Sequence, residues 1–217
     1  AFEERTGHAI LERYGMTEAG MITSNPLEGE RRAGTVGFPL PDVEVRVADS
    51  EGRILGTDEI GILEAKGPNI FKGYWRMPEK TAEEFRPDGF FITGDMAKID
   101  DRGYVHIVGR AKDLIISGGY NVYPKEIELV IDAQPGVVES AVIGLPHPDF
   151  GEAVAAAVKL TAPGATAEAT LLEAIKGQVA GFKRPKKIFF VEELPRNTMG
   201  KVQKAQLRET YKDTFTT

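Results

Sequence analysis

The sequence predicts a mixed α+β fold made of a small β-barrel-like subdomain followed by a small α+β domain with a three-stranded sheet flanked by helices. Two observations predict it. Short alternating apolar runs separated by turn residues fill the first half of the chain, and strand patterns alternate with helical patterns after Arg110. We therefore expect residues 1–111 to be the β-rich end of a larger domain and residues 112–217 to form a second, separate domain.

The first part opens with residues 1–11, whose mixed charged and apolar pattern indicates the end of an amphipathic helix. Such an abrupt start predicts a cut through a larger domain. Four short alternating runs then predict strands at residues 43–47, 60–65, 90–93 and 104–108. Turn-forming clusters at residues 49–52 and 100–103 separate them. A small barrel or a meander is expected.

The second part contains a proline at a position that favours a helix start. Pro124 precedes a predicted helix at residues 125–133, and proline is well tolerated in the first helical turn. Further strands are predicted at residues 138–144, 153–160 and 187–191, and further helices at residues 167–179 and 201–212. This order fits a three-stranded sheet with helices packed against it.

The amino-acid composition excludes some classes of site and of binding partner. The 217 residues are 41% hydrophobic, which is enough to bury a core, and contain no cysteine, so disulfides and thiolate metal sites are excluded. No apolar run approaches the roughly 20 residues of a membrane span, and no signal peptide is recognisable, so we expect a cytoplasmic location. The net charge of −6 argues against nucleic acid, although a basic cluster suits a phosphorylated small molecule: Lys183, Arg184, Lys186 and Lys187.

The first candidate motif combines an aromatic ring, a flexible glycine, a hydroxyl and a carboxylate, in the order Tyr14, Gly15, Met16, Thr17 and Glu18. A turn of this kind allows Tyr14 to face adenine, Thr17 to contact a phosphate and Glu18 to hold Mg²⁺, a hard cation that prefers oxygen ligands. The alternative is a helix N-terminus capped by Thr17.

The second candidate is Asp95, which follows the apolar run at residues 90–92 and is expected just past the end of a strand. An acidic residue in that position can accept both hydroxyl protons of a ribose. The alternative is a solvated turn aspartate.

The third candidate spans residues 109–128 and is the longest. Arg110, Lys112 and Asp113 end one strand, an apolar strand follows, and Gly118 with Gly119 lets the backbone approach another group closely before a helix begins. The alternative is a plain β-turn-β-α unit. That unit leaves the charged cluster and the double glycine unexplained.

The fourth candidate is Lys201, presented by a turn-rich loop at residues 195–201 immediately before an amphipathic helix. A lysine on such a loop can reach a phosphate or a carboxylate as a compact positive charge. The alternative is a solvated surface lysine.

Together, in this order, the four motifs resemble the adenylate-forming family of acyl- and aryl-CoA synthetases, luciferases and peptide-synthetase adenylation domains. The resemblance covers essentially the whole chain. Within the family, segments 71–75 and 194–204 look most similar to malonyl-CoA synthetases. The resemblance implies ATP-dependent joining of a carboxylate, with malonate favoured, to AMP and then to coenzyme A.

The resemblance also implies a role for each candidate. Tyr14, Gly15, Met16 and Thr17 would contact ATP or AMP, with Thr17 and Glu18 serving catalysis and Glu18 holding Mg²⁺. The ribose ligands would be Asp95 and Arg110, and the adenylating lysine would be Lys201. Lys112 would be the hinge of a mobile C-terminal domain, and coenzyme A would be bound by Gly118, Gly119, Arg184 and Lys186.

Two expectations follow from the resemblance. The chain contains no Ser/Thr/Gly-rich phosphate loop followed by lysine, so the 217 residues should not catalyse adenylation alone. Lys201 resembles a site read by lysine acetyltransferases on related synthetases, which makes such an enzyme an expected partner. Two alternatives remain open: a ligase for another short or aromatic carboxylate, and a non-catalytic binding module.

Overall fold

A computed structural model describes residues 2–216, and the chain divides into two compact units, Ala1–Ala111 and Lys112–Thr217. Helix α1 occupies Phe2–Thr6 and stops at Gly7, whose φ of 72° is incompatible with continued helix. The predicted helix at residues 1–11 is therefore shorter than expected, and its first residue, Ala1, lies outside the described residues.

The first unit contains two antiparallel sheets. Strands β1 (Arg13–Met16), β2 (Gly20–Ser24) and β3 (Phe38–Pro39) form one sheet in that order. Strands β4 (Glu44–Ala48), β5 (Gly61–Lys66), β6 (Phe91–Ile99) and β7 (Val105–Arg110) form the other, with helix α2 (Pro78–Glu83) between β5 and β6. The four predicted strands are present, but the third, predicted at residues 90–93, continues to Ile99. They make a meander in chain order, and no pairing of β4 with β7 closes it within residues 2–216.

The four-stranded meander has an apolar core and also buries one carboxylate, that of Glu64. Val47 of β4, Leu63 of β5 and Val105 of β7 belong to one core cluster, as the alternating pattern predicts. Glu64, which alternates with Leu63, is also fully buried, and its carboxylate is bound by the guanidinium groups of Arg46 and Arg86, each at 2.7 Å. The charge is tolerated there because both carboxylate oxygens are paired.

The second unit is a sheet with helices on both faces. Its elements are β8 (Ile115–Ser117), β9 (Tyr120–Val122), α3 (Pro124–Asp132), β10 (Val137–His147), β11 (Gly151–Leu160), α4 (Glu168–Ile175), β12 (Lys187–Val191) and α5 (Lys204–Tyr211). The predicted strands are β10, β11 and β12, and the hairpin β8–β9 extends them to five. The hairpin joins the sheet through the single register pair Ser117↔Gly151.

Alternation along β10 explains why both faces are covered. Val142 faces a cluster that includes Ile127 of α3 and Ile175 of α4. Its neighbour Ile143 faces a second cluster, which includes Leu207 of α5. Successive strand residues point to opposite faces, so a continuous apolar strand requires helices on both sides. No helix among residues 2–216 is long and apolar enough to cross a membrane.

Candidate functional site

The segment predicted to carry a nucleotide contact is a tight hairpin. Tyr14 and Gly15 lie in β1, residues 17–19 form the turn, and β2 begins at Gly20, so the alternative of a helix capped by Thr17 is not observed. Glycine is required at position 15, because a Cβ there would lie 2.0 Å from the carbonyl oxygen of Gly20. Thr17 is exposed at the turn.

Tyr14 and Asp95 meet between the two sheets of the first unit. The Tyr14 hydroxyl donates a hydrogen bond of 2.6 Å to Asp95 Oδ2. Burial raises the pKa of the Tyr14 phenol well above its usual range, and the hydrogen bond to the Asp95 carboxylate raises it further. Tyr14 therefore stays protonated and acts as a donor. The same hydroxyl also lies 3.9 Å from the Met16 sulfur.

Asp95 was expected just past the end of a strand, and this expectation was wrong: it lies in the middle of β6. Gly94, with φ of 72°, distorts the strand without ending it. The Asp95 side chain is only 7% exposed. Its backbone N–H donates to the Thr93 hydroxyl oxygen at 3.1 Å, which fixes the strand at the carboxylate.

Arg110 lies beside Asp95 because the two are register partners across strands β6 and β7. The Arg110 Nε atom is 3.1 Å from Asp95 Oδ1, and the arginine side chain is 50% exposed. One carboxylate oxygen thus has a phenol partner and the other a guanidinium partner. Each carboxylate oxygen can accept two hydrogen bonds, so Asp95 keeps capacity for two further hydroxyl donors.

Glu18 is held by a residue that the sequence analysis did not identify. The Tyr74 hydroxyl donates to Glu18 Oε1 at 3.3 Å, and the Phe71 backbone N–H donates to the Glu18 carbonyl at 2.8 Å. Segment 71–75 had been noted only for its family resemblance, and nothing in its pattern indicates a contact with the turn. Within residues 2–216 no cluster of three or more acidic or histidine residues forms a metal cage. A single carboxylate such as that of Glu18 is compatible with Mg²⁺ binding, because this ion is typically held by one or two carboxylates together with substrate phosphates.

The paired glycines of the second unit form the turn of the β8–β9 hairpin. Gly118 and Gly119 have φ of 58° and 83°, and Ser117 pairs with Tyr120 on either side of them. A two-residue turn with positive φ at both positions is the type I′ geometry that favours glycine. The Gly118 N–H also donates to the Phe150 carbonyl at 2.9 Å. The turn therefore accounts for both glycines without any ligand.

The basic cluster divides into paired and unpaired cations. Lys183 is paired with Glu126 at 2.7 Å and Lys187 with Glu168 at 2.9 Å. Arg184 and Lys186, the two predicted anion ligands, form no ion pair within the described part of the chain. The Lys186 amino group instead lies 4.4 Å from the centre of the Phe150 ring. Arg184 Nε donates to the Val179 carbonyl at 3.3 Å, so neither cation is neutralised by a carboxylate among residues 2–216.

An exposed aromatic pair, missed by the sequence analysis, lies beside this cluster. The rings of Tyr120 and Phe182 stack with centroids 4.7 Å apart, and both are substantially exposed. Tyr120 follows the paired glycines, and Phe182 precedes the basic cluster. No local pattern indicates the stack, because it joins residues from two different elements.

Lys112 lies in a 3₁₀ turn, Ala111–Asp113, at the start of the second unit. The adjacent Asp113 carboxylate is bound by Arg208 of α5 at 2.8 Å. The residue predicted as a hinge is therefore followed at once by a residue that is tied to the last helix.

Lys201 lies on a closed loop, and α5 begins only at Lys204, three residues later than predicted. An isolated bridge between Arg196 and Val202 closes the loop. The Lys201 side chain is exposed, and its amino group forms no hydrogen bond or ion pair within residues 2–216. The lysine is therefore available to an external anion.

Comparison with known proteins gives consistent matches. Residues 1–75 match the profile described as AMP-binding enzyme, and residues 126–201 match that of the AMP-binding enzyme C-terminal domain. The chain is 45% identical to the probable CoA ligase CCL8 of Humulus lupulus over 94% of its length, and 43% identical to the malonate–CoA ligase of Arabidopsis thaliana over 96%. It spans 35% and 36% of those relatives, about a third.

A solved structure matches more closely. The ATP-bound MatB of Rhodopseudomonas palustris is 64% identical and superimposes with a TM-score of 0.94, covering 99% of this chain and 43% of that one. The apo structure of the same protein matches with a TM-score of 0.74 at the same identity. The matched region of that relative therefore differs in conformation between its two structures.

Proposed function

The chain belongs to the AMP-binding enzyme family, and from this premise we propose that the protein is an ATP-dependent acid–CoA ligase that first forms an acyl-adenylate and then an acyl-CoA. The contact of Asp95 with both Tyr14 and Arg110 carries the proposal. It provides an oriented carboxylate of the kind that binds the two hydroxyls of a nucleotide ribose.

The nucleotide lies against the first unit in this proposal. Asp95 accepts hydrogen bonds from the ribose hydroxyls, and Arg110 and Tyr14 hold its carboxylate in place. Thr17, exposed at the hairpin turn, contacts a phosphate, and the backbone at Gly15 and Met16 borders the adenine together with the Tyr14 ring. Glu18 would hold Mg²⁺, which would supply positive charge to offset the negative charge on the phosphates of ATP.

Lys201 serves the first half-reaction. A carboxylate oxygen of the acid attacks the α-phosphorus of ATP, the bond from that phosphorus to the bridging oxygen breaks, and pyrophosphate leaves. Negative charge on the carboxylate and the α-phosphate opposes this approach. A lysine amino group without an internal partner offsets that charge, which is most valuable in the transition state.

The second half-reaction uses the surface of the second unit. The thiol of coenzyme A loses its proton to solvent as its sulfur attacks the acyl carbon of the adenylate, the bond from that carbon to the phosphate oxygen breaks, and AMP leaves as the thioester forms. Arg184 and Lys186 meet the phosphates of coenzyme A, and Gly118 and Gly119 border its pantetheine arm. The exposed stack of Tyr120 and Phe182 offers an apolar surface beside these cations.

We further propose that residues 112–217 act as a mobile domain that turns about Lys112 between the two half-reactions. The two TM-scores of 0.94 and 0.74 for the ATP-bound and apo forms of one relative support a conformational difference of this kind in the family. Closing one site while opening another is a gating step that often limits turnover.

Malonate is the favoured acid. The malonate–CoA ligase of Arabidopsis thaliana, at 43% identity, supports it. A long-chain-fatty-acid–CoA ligase of Yersinia pestis also matches, at 39% identity, so a ligase for another carboxylate is the second candidate. The phosphate-binding loop is absent from the 217 residues, which supports the proposal that these residues do not adenylate alone. Acetylation of Lys201 by a lysine acetyltransferase stays a prediction.

The test compares carboxylic acids of different sizes as substrates. The intact protein is incubated with ATP, Mg²⁺, coenzyme A and one acid from a panel of malonate, acetate, benzoate and palmitate, and AMP release and thioester are measured. We expect the highest kcat/KM with malonate. Dominance of another acid selects the second candidate, and absence of AMP release with every acid contradicts the ligase proposal.

Nucleotide binding separates the ligase from a binding module without catalysis. Calorimetry of AMP with the 217-residue chain and with its Asp95→Ala variant measures whether the ribose contact operates. Binding that Asp95→Ala weakens supports the nucleotide site. Absence of AMP binding by both the chain and the intact protein contradicts it.

A further inference from the structure

One side chain bridges two backbone groups at the tip of the loop that presents Lys201. The Asn197 carboxamide oxygen accepts hydrogen bonds from two backbone N–H groups, that of Met199 at 3.1 Å and that of Lys201 at 2.9 Å. Asn197 also exchanges backbone hydrogen bonds across the loop, donating to the Lys201 carbonyl at 2.9 Å and accepting from the Gly200 N–H at 2.9 Å. Its side chain therefore closes an Asx-type turn directly onto the lysine.

Arg196 adds a second contact on the other side of the loop. Its Nη1 atom donates to the Gly200 carbonyl at 2.6 Å, and its Nη2 atom is bound by the Glu139 carboxylate on β10. Gly200 has φ of 80°, a conformation that glycine adopts without strain. The peptide group preceding Lys201 is thus fixed to the sheet through Arg196 and Glu139.

Both ends of the loop are anchored in the core. Leu194 before it and Leu207 after it are each at least 96% buried in the same apolar cluster, with Val202 packed against them. The Gln203 N–H donates to the Pro195 carbonyl at 2.7 Å and closes the base of the loop. The exposed tip at residues 198–201 is held by two backbone hydrogen bonds of Asn197 and by the side-chain hydrogen bonds of Asn197 and Arg196.

We propose that Asn197, assisted by Arg196, is the positioning residue for the catalytic lysine: it fixes the backbone of Lys201 so that the amino group is delivered to the reacting phosphate in one orientation. This inference rests on the proposed role of Lys201 in adenylation and adds to it a residue that does not touch the substrate. Asn197 acts only through the backbone of Lys201.

The physical basis is the flexibility of the lysine side chain. Four rotatable bonds separate the lysine amino group from the backbone, and the side chain contains no rigid ring or planar group that fixes its direction. The position of the amino group therefore depends on how well the backbone at Lys201 is ordered. Rate enhancement from positioned charges falls steeply when the supporting groups are displaced by about 1 Å. A loop without the two Asn197 hydrogen bonds would hold Lys201 in many orientations.

The half-reactions of the intact protein test the proposal. Asn197→Ala should slow adenylate formation about tenfold or more, the effect expected from losing the two hydrogen bonds that the Asn197 side chain accepts from the loop backbone. Thioester formation from supplied acyl-adenylate should stay within about twofold of the unsubstituted protein, because Lys201 serves only the first step. Asn197→Asp keeps an acceptor oxygen in place and should restore most of the adenylation rate.

Two further variants provide the comparison. Thr198→Ala alters the adjacent exposed residue, which forms no hydrogen bond within residues 2–216, and should leave both steps unchanged. Lys201→Ala measures the full effect of losing the lysine amino group on each step. If Lys201→Ala does not affect adenylation, the proposed function of Lys201 fails. If Lys201→Ala abolishes adenylation while Asn197→Ala matches Thr198→Ala, the positioning proposal fails and the function stands.

Hydrogen exchange of the Lys201 amide gives a readout that does not depend on activity. In the 217-residue chain this amide should be protected, since it donates to Asn197, and Asn197→Ala should remove the protection while Asn197→Asp keeps it. Unchanged protection in Asn197→Ala would show that the carboxamide does not order the loop. Unchanged melting temperature in all four variants confirms that the comparison is made on folded protein.

Discussion

Tyr14 and Asp95, which are 81 residues apart in the sequence, are joined by a hydrogen bond of 2.6 Å from the phenol to the carboxylate. The bond connects the first hairpin of the chain to the middle of β6. Because burial and this hydrogen bond raise the pKa of Tyr14, the phenol remains a donor at all physiological pH values. Asp95 is therefore oriented before any nucleotide binds.

Tyr14→Phe removes this donor and keeps the ring. We expect the affinity of the intact protein for ATP to fall about tenfold, since hydrogen bonds to a charged partner contribute more than neutral ones. Calorimetry with ATP measures the change. Tyr104→Phe is the matched control, because its hydroxyl also makes one hydrogen bond, to the Glu30 carbonyl at 2.8 Å, in the same unit. Equal ATP affinity in the two variants would contradict an orienting role for Tyr14.

Some of this architecture was accessible from the sequence, and some was not. Alternation predicted the strand at Lys187–Val191 with its observed bounds, and Pro124 placed the start of α3. Asp95 was misplaced because Gly94 reads as the end of a strand, whereas β6 continues through it. The Tyr14–Asp95 contact depends on how two sheets pack, which no local periodicity encodes.

The same limit applies to the lysine loop. Turn residues predicted a loop before Lys201, because glycine and asparagine favour turns. They did not reveal that Asn197 bonds the Lys201 N–H, since an asparagine in a loop can bond its own backbone in several ways. The Arg196 contact with Glu139 joins the loop to β10, and only the tertiary structure supplies it.

Lys201→Ala should abolish adenylate formation and spare thioester formation from a supplied acyl-adenylate. The expected loss in the first step is at least ~2.7–4 kcal/mol of transition-state stabilisation, the range typical of removing one preorganised electrostatic partner. Single-turnover measurements of AMP-ester formation and of acyl transfer give the two rates separately. Lys204→Ala is unsuitable as a control, because Lys204 pairs with the buried Glu128 at 2.7 Å. Lys212→Ala changes an exposed lysine of the same region. Equal damage to both steps would refute the assignment.

Glu64→Gln should destabilise the first unit strongly. The substitution keeps the side-chain size but leaves the partly buried guanidinium groups of Arg46 and Arg86 without a common anion. Breaking such a buried network by removing one partner typically costs about 3–5 kcal/mol. Urea unfolding of the 217-residue chain, followed by circular dichroism, measures the free energy. Asp58→Asn breaks the more exposed Lys98–Asp58 pair and should cost less than about 1 kcal/mol. Similar losses for the two variants would contradict the prediction.

Asp100 should make the stability of the first unit depend on pH in the acid range. The hydrogen bond from the His106 ring, with backbone N–H donors at Tyr104 and Arg102 and the charge of Arg32, lowers the pKa of Asp100 to about 2. The folded-state pKa is thus below the ordinary value of 3.8, so the stabilisation is present above pH 4 and is lost as the pH falls toward 2.

Asp100→Asn therefore lowers the melting temperature at pH 7, and its difference from the unsubstituted chain shrinks as the pH approaches 2. Melting curves between pH 2 and 7 measure both effects. Asp101→Asn replaces the adjacent exposed carboxylate and should change little at any pH. A difference that grows on acidification would reverse the sign derived for Asp100.

The hinge prediction concerns Lys112, which lies in the 3₁₀ turn Ala111–Asp113 at the start of the second unit. If rotation of residues 112–217 separates the half-reactions, the backbone at this residue must adopt two sets of dihedral angles, since hinges absorb large φ/ψ changes at a few positions. Proline fixes φ near −65°, a value that a 3₁₀ turn already favours, but it disfavours the helical conformation of the residue before it, here Ala111, which begins the same turn. Lys112→Pro should therefore restrict the backbone at both residues and trap one arrangement.

We expect Lys112→Pro in the intact protein to retain adenylate formation, the step that the proposal assigns to Lys201, while transfer to coenzyme A falls by orders of magnitude. Lys112→Ala removes the same side chain without restricting φ, so it should lose far less of the second step. Single-turnover kinetics of each half-reaction, on protein with an unchanged circular dichroism spectrum, separates the two variants. Thioester formation that is unimpaired in Lys112→Pro would mean that the rotation does not occur at this residue, because a fixed φ cannot serve both arrangements.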